Sequence, residues 1–407
     1  MQARSRQFYI FVIILGSLSA FGPLSIDMYL PAFPAMAESL GVTQGRIEMS
    51  LASYFIGLSL GQLAYGPLTD RYGRKKPLYA GLLLYILASA ACALAADSYQ
   101  LIFFRFIQAL GGCAGAVVSR AMVRDLFDHK ESAQVYSALM LVMGLAPILA
   151  PLAGGYALIF FGWRAIFWIL AGLSILISLA IVFFLPETRR PDETVRFARS
   201  FHIYFDIMKH REFMGYTLCL AVAQAGLFAY ITGSSFVFIK YFGVAEENFG
   251  WVFGANALAF IAVSQLNAWL LRKDKQTPDD MMRKALFGLA AAGILCAGVA
   301  VLDLGLWAMA GSLFLFMAML GAIFPNGTAG SMEHQKHRAG AASALAGMIQ
   351  FSISAAASAA LSLTHATSPV PMGIMLALSG LGACGLFIWM KSYRPPEICP
   401  AAPDATT

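Results

Sequence analysis

Charge is the scarcest commodity in this chain. Only 12% of its 407 residues are Asp, Glu, Lys or Arg, while 59% are hydrophobic. An ordinary soluble domain is roughly 25% charged. Half that charge does not clothe a soluble surface of this size, which excludes a large soluble enzyme. Cysteine is sparse as well: there are six, with no CxxC or Cys/His ligand spacing. Neither a disulfide framework nor a zinc site is therefore expected. None of the six histidines falls in an apolar run, so the clustered ligands of a polytopic metalloenzyme are missing. No G-x-x-x-x-G-K-[ST] loop occurs, which argues against an ATP motor. The net charge of +6 is not a nucleic-acid signal, because the basic residues sit in short loops between apolar runs. No cofactor and no nucleic-acid partner are expected. The first apolar run contains Asp27 and lacks an A-x-A cleavage site, so it reads as a retained helix rather than a signal peptide.

Long apolar runs are abundant. Twelve lie near 8–30, 47–68, 77–96, 100–120, 134–158, 164–185, 213–238, 249–271, 283–302, 305–327, 339–363 and 371–391. Each is long enough to cross about 30 Å of hydrocarbon as a helix. The runs are rich in Ala and Leu and do not alternate, which favours helices over barrel strands. The expected fold is an all-α polytopic membrane protein of twelve transmembrane helices in two six-helix halves. Of 28 Lys and Arg, only Arg46, Arg164 and Lys240 lie at one set of span ends, and Arg105 and Arg120 lie within the fourth span. The rest gather at the opposite ends, so the positive-inside rule puts both termini in the cytoplasm. The longest connection, 186–212, is basic and divides the chain. The expected organisation is a bundle over 1–185, a cytoplasmic linker over 186–212, a second bundle over 213–391 and a cytoplasmic tail over 392–407. Two halves around a basic middle loop suggest a secondary transporter.

The loop after the second span reads Gly66-Pro-Leu-Thr-Asp70-Arg71-Tyr-Gly73-Arg74-Lys75-Lys76. It resembles the G-x-x-x-D-R-x-G-R-[RK] motif of the major facilitator superfamily at every defining position. Arg105-Phe-Ile-Gln108-Ala-Leu-Gly111-Gly112 resembles that superfamily's R-x-x-Q pattern. Gly144-Leu-Ala-Pro147-Ile-Leu-Ala150-Pro151-Leu-Ala-Gly154-Gly155 resembles its antiporter signature, with Ala150 in place of the usual Gly. Ser25-Ile-Asp27-Met28-Tyr29-Leu30-Pro31, Arg124-Asp125, Pro186-Glu187-Thr188, the stretch from Phe228 to Phe238, Asn256, Pro325-Asn326 and Gln350 together resemble the Bcr/CflA group of drug:proton antiporters. The resemblance implies a monomeric bacterial inner-membrane efflux pump for small amphipathic or apolar drug-like molecules, driven by protons. It does not imply which drug. Export of a natural metabolite by the same machinery, and a non-transporting membrane sensor, are the alternatives.

A charge inside the membrane costs at least about 2.5–3.5 kcal/mol, so each needs a reason. Asp27 is the one acid well inside a run, and Arg105 is expected at similar depth. The two are read as a proton-coupling site, through a direct contact or shared water; a fixed ion pair locking two helices is the alternative. Glu48 begins the second span, as either a second carrier or an interfacial acid. Gly66, Asp70, Arg71, Gly73, Arg74, Arg124 and Asp125 are expected to form a conformational latch. Tyr29, Tyr54, Gln108, Met140, Tyr230, Asn256, Asn326 and Gln350 are candidates for the substrate cavity, since amides facing lipid would be costly and Met and aromatic groups suit a promiscuous site.

Overall fold

The computed structural model describes residues 2–127, 129–192, 197–273, 276–364 and 367–392. Among them there are helices and turns and no strand. The first span is composite: α1 (Gln2–Asp27), a 3-10 turn (Leu30–Ala32) and α2 (Phe33–Ser39). Then follow α3 (Gln44–Tyr72), α4 (Lys75–Ala93), α5 (Ser98–Leu126), α6 (His129–Phe161) and α7 (Trp163–Phe184). The second half holds α8 (Phe197–Met208), α9 (Arg211–Ser235), a π-helical turn (Phe236–Tyr241), α10 (Glu246–Arg272), α11 (Pro278–Val301), α12 (Leu306–Met332), α13 (Ala339–Ser362) and α14 (Val370–Ser392).

Helix starts carry local signals. Asp97 caps α5 by accepting the Gln100 N–H at 2.9 Å. Thr277 caps α11 by accepting the Asp280 N–H at 3.1 Å, with Pro278 opening the helix. Both satisfy amides that a first turn leaves without partners.

Among the described residues, eleven segments are long and apolar enough to cross a membrane. The twelfth expected span, α3, has 29 residues but more polar ones. Gln44, Glu48 and Gln62 are nevertheless buried, so its polarity faces other helices rather than lipid. The large exposed side chains include Leu83, Phe103, Phe160, Phe183 and Trp307, the surface that a hydrocarbon solvent favours.

The first span differs from its expected limits. It runs from Ile10 to Ser39, well past residue 30, because the chain continues through Pro31 and Pro34 as a 3-10 turn and a second helix. Proline at the first turn of a helix forfeits no hydrogen bond. Asp27 therefore stands just past the midpoint of the span instead of near its end.

Helix pairing repeats between the halves. In the first, α1 packs on α5 and α6, α3 on α5, and α4 on α5 and α7. In the second, α9 packs on α12 and α13, α10 on α12, and α11 on α12 and α14. Across the middle, α3 lies on α13 and α6 lies on α10. The amphipathic α8 lies in the linker and buries Tyr204 and Ile207 against Phe213, Ala342 and Leu345.

Candidate functional site

The centre of the first half is a polar knot around Arg105, which is fully buried. One terminal nitrogen donates to the Ser25 carbonyl at 2.8 Å and the other to the Gln108 side-chain carbonyl. Gln108 in turn donates to the Ser89 hydroxyl at 2.7 Å. The guanidinium carbon lies 4.2 Å from the Tyr29 ring centre and 4.1 Å from that of Tyr54. Two aromatic faces, a backbone carbonyl and an amide thus stand in for a carboxylate. Tyr29 itself shares a 3.3 Å hydrogen bond with Ser50. Tyr54, Tyr29 and Gln108, expected to line a cavity, are here committed to Arg105.

Asp27 does not pair with Arg105. Residues two apart on a helix point to nearly opposite sides. Ser25 turns its carbonyl toward Arg105, while the Asp27 side chain belongs to another face. Asp27 is 4% exposed, and among the described residues it has no ion pair. The 3-10 turn that follows it, Leu30–Ala32, packs on α9 and α10 of the second half. The Tyr230 hydroxyl accepts from the Asn256 amide at 2.9 Å, and its ring stacks on Phe253 at 5.4 Å. The end of the first span thus meets α9 and α10, which carry Tyr230 and Asn256, at the junction of the halves. Beside this junction Phe55, Phe228 and Phe351 form an aromatic cluster, with Phe55 and Phe228 centred 4.2 Å apart.

The remaining cavity candidates separate. The Asn326 amide donates to Asn267 at 2.8 Å and to the Ala322 carbonyl at 2.9 Å. It is a satisfied clamp between α12 and α10, and Asn267 was not singled out from sequence. Gln350 is half-buried on α13. Met140 lies in α6, with its side chain outside the described residues. Glu48 is buried at the start of α3.

The basic end of the first half is a charge network. Arg74 is nearly buried; it donates to Asp70 at 2.9 Å, to Asp125 at 2.9 Å and to Thr69 at 3.0 Å. Arg189 adds a second 2.9 Å bridge to Asp70. Glu187 accepts the backbone N–H groups of Arg74 and Lys75 at 2.8 and 3.0 Å. Gly73 turns the chain at φ +83°, and a side-chain carbon there would lie 3.0 Å from the Arg189 carbonyl, so only glycine suits it. Asp70, Gly73, Arg74 and Asp125 are joined as the sequence suggested, and Gly66 lies at the same end. Arg71 lies over the Tyr72 ring at 5.4 Å. Arg124 stands apart from the Arg74 network and faces Gly340 of α13. Arg189 belongs to the network and escaped the sequence reading, because a loop arginine beside other basic residues carries no periodic signal.

Three glycines of α6 line its approach to α10 and the end of α1. At Gly154 a side-chain carbon would lie 1.7 Å from the Met28 carbonyl oxygen, and at Gly155 one would lie 3.0 Å from that of Glu246. Gly144 faces Ile261, and Ala150 is fully buried. Pro147 and Pro151 lie inside the same helix. Gly250 and Gly254 of α10 answer from the other side, against Leu152 and Ile148. Such small-residue seams let helices touch backbone to backbone.

At the basic end, between α3 and α5 of the first half and α13 of the second, lies a cavity of about 330 Å³. Gln62, Asp70, Arg120, Arg124, Tyr204 and Ser343 are among its lining. Tyr204 of α8 reaches across it to donate to the Leu63 carbonyl at 3.3 Å. Burial, with Asp70 nearby, pushes the Tyr204 hydroxyl up to about 12, so it stays a donor at neutral pH.

Residues 15–359 match the sequence profile of the Major Facilitator Superfamily. An uncharacterized MFS-type transporter of Bacillus subtilis is 34% identical over 92% of this chain and 94% of its own length. A bicyclomycin resistance protein homolog of Haemophilus influenzae is 32% identical over 95% of this chain and 96% of its own. Multidrug resistance protein D of Escherichia coli is 26% identical over 91% and 93%. Among solved structures, a D-xylose–proton symporter superposes with a TM-score of 0.70 at 15% identity, covering 95% of this chain and 98% of its own. That likeness concerns the fold alone. With a profile over most of its length and relatives above 30% identity over nearly all of it, the chain belongs to the major facilitator superfamily of membrane transporters.

Proposed function

We propose that the protein is a proton-coupled exporter of small amphipathic, drug-like molecules in the bacterial inner membrane, working by alternating access. The relatives named for bicyclomycin, chloramphenicol and multidrug resistance support the substrate class. The observation that carries proton coupling is Asp27, a buried acid with no ion partner among the described residues, at the end of a helix whose following turn packs on α9 and α10. An acid that a fixed cation does not hold is free to take and release a proton as its surroundings change. The bundles over 1–185 and 213–391 rock against each other, and the α3–α13 and α6–α10 contacts break and re-form. The linker over 186–212 and the tail from 392 lie in the cytoplasm with both termini. Protons and membrane lipid are the other partners, and the chain acts as a monomer. Uphill drug movement by purified protein in liposomes, driven only by an imposed pH gradient, tests the whole reading.

Orientation has its own check. Reporter fusions at Asp97 and Asp303 are expected to signal the periplasm, and fusions at Pro191 and Lys275 the cytoplasm. A cytoplasmic signal at Asp303 overturns the second-half topology.

The network around Arg74 is the latch of the cytoplasmic end. Asp70→Asn weakens two half-exposed bridges, each worth up to about 1 kcal/mol. Transport is expected to fall several-fold, up to about tenfold, while drug affinity stays near wild type, since the latch is remote from the central site. Paired transport and binding measurements decide it. Full-rate transport by a folded Asp70→Asn protein demotes the loop to a topological signal.

A further inference from the structure

The two ends of the seam between the halves differ. At the basic end it is hollow, with the cavity of about 330 Å³ between α3, α5 and α13. At the opposite end it is shut. Gly45, in the first turn of α3, lies so close to the last residue of α13 that a side-chain carbon there would overlap the Ser362 carbonyl oxygen. Beside this contact α3 buries two polar side chains, Gln44 and Glu48, which are 5% and 6% exposed. Glu48 follows Gly45 by three residues and Gln44 by four, so all three share one face of the helix. Neither end of the Gln44 amide has a hydrogen-bond partner among the described residues, and Glu48 has no ion pair among them. The titratable groups that neighbouring elements bring to this end are turned outward or engaged. Glu38 of α2 is exposed, as are Lys240 and Tyr241 of the π-helical turn that packs on α2. Arg46 lies over the Tyr99 ring at 4.0 Å, Asp97 caps α5, and Tyr230 of α9 is bonded to Asn256.

We propose that Glu48 is a proton-operated catch on the outer end: the seam closes over the neutral carboxyl and is held open by the carboxylate. This rests on the proposed orientation and proton-driven exchange, and it adds to Asp27 a second protonation, one that governs a gate. With the seam shut, a carboxylate at this place has neither water nor a paired cation to stabilise it, whereas the neutral acid loses far less on burial. Parting α3 from α13 lets water reach Glu48 and Gln44 together. The closed form therefore holds a proton that the open form releases. The ratio of closed to open falls by up to about tenfold per unit of rising pH, between the pH at which the open form ionises and that at which the closed form does. The Gln44 amide works in the same direction as the carboxylate, because it is unpaired when the seam is shut and hydrated when it opens. The sign suits an exporter driven by protons from outside. Once substrate has left, an acid exterior neutralises Glu48 and lets the outer end shut, so the return waits for a proton to arrive.

The test reads the seam directly in the full chain, freed of its native cysteines. Nitroxide labels go on Thr43→Cys and Leu363→Cys, exposed positions that flank the Gly45–Ser362 contact. The distance between them is measured from about pH 5.5 to about pH 8.5 with no drug present, and the short-distance population is expected to fall at least about tenfold relative to the long one as pH rises. Glu48→Gln, neutral at every pH and nearly the same shape, is expected to stay closed throughout. Asp27→Asn is expected to keep the pH dependence, which separates the gate from the carrier. Gln44→Leu leaves Glu48 in place and removes the unpaired amide, and it is expected to raise the closed fraction severalfold at the alkaline end. A wild-type distance indifferent to pH overturns the catch. So does a Glu48→Gln protein that still opens as pH rises, an Asp27→Asn protein that no longer responds, or a Gln44→Leu protein no more closed than wild type. Each of these leaves the efflux reading standing, which falls instead if purified protein moves no drug under a pH gradient.

Discussion

Replacing Asp27 by Asn is expected to abolish uphill, pH-driven export, by a hundredfold or more, in a protein that still inserts and still binds substrate. Asn keeps the shape and much of the hydrogen-bonding capacity of the acid and removes only its proton chemistry. The packing around Asp27 is therefore preserved, and the loss reads as loss of coupling. Drug binding offers a second readout. If substrate and proton compete at this carboxylate, wild-type affinity rises with pH, because the deprotonated form is the one that binds drug. In Asp27→Asn that dependence flattens. Binding at several pH values and counterflow without a gradient separate the two effects. Full coupled export by a well-expressed Asp27→Asn protein would move the proton carrier to Glu48 or to the acids of the basic end.

Gly154→Ala has the next largest expected effect, from a single methyl group. The added carbon would lie 1.7 Å from the Met28 carbonyl oxygen, so backbone rather than a pliable side chain has to move. Overpacking of this kind typically costs about 1–3 kcal/mol. Here it acts at one seam, the approach of α6 to the residue that follows Asp27. The contact between α6 and the first span is expected to open, and the equilibrium between conformations to shift at least tenfold away from the closed seam. Transport is expected to fall at least tenfold while expression stays near normal. Accessibility of a cysteine placed at Met28 in a cysteine-free background reports the opening directly. Gly155→Ala is the control, because its contact is a looser 3.0 Å, and its effect is expected to be smaller. Equal and small effects at both positions sink the argument from close approach.

The charged loop at 66–76 was legible in part: Asp70 and Arg74 are neighbours on one stretch of chain and their pairing needs only local geometry, whereas Arg124 stands apart and Arg189 joins from the linker. Glu187 was visible as part of the Pro186-Glu187-Thr188 stretch that carries the resemblance, but its task of holding the Arg74 and Lys75 amides was not. That contact closes over 113 residues of sequence, and no spacing rule reaches so far. The cavity candidates show the same limit. Amides inside apolar runs had to face protein, and Asn256, Asn326 and Gln108 do. Which of them serve a substrate depends on their partners: Asn326 is spent on Asn267 and Gln108 on Arg105, while Asn256 is bonded to Tyr230 on the helices that pack against the turn after Asp27.

By itself the sequence determined that this is a twelve-span membrane protein, which ends carry the basic residues, and that one acid lies deep in the first span. Those properties follow from hydropathy and charge summed along the chain, and a bilayer sorts them without reference to any other helix. The tertiary structure alone decided that Arg105 is held by Ser25, Gln108 and two tyrosine rings, that Asp27 has no ion partner among the described residues, and that Arg124 faces Gly340 of α13. Each depends on the angle at which a helix presents a residue and on a neighbour far away in the chain. Depth in the membrane placed Asp27 and Arg105 at a similar level, but a two-residue step from Ser25 to Asp27 rotates the side chain to another face. That rotation is why depth alone did not make the two an ion pair.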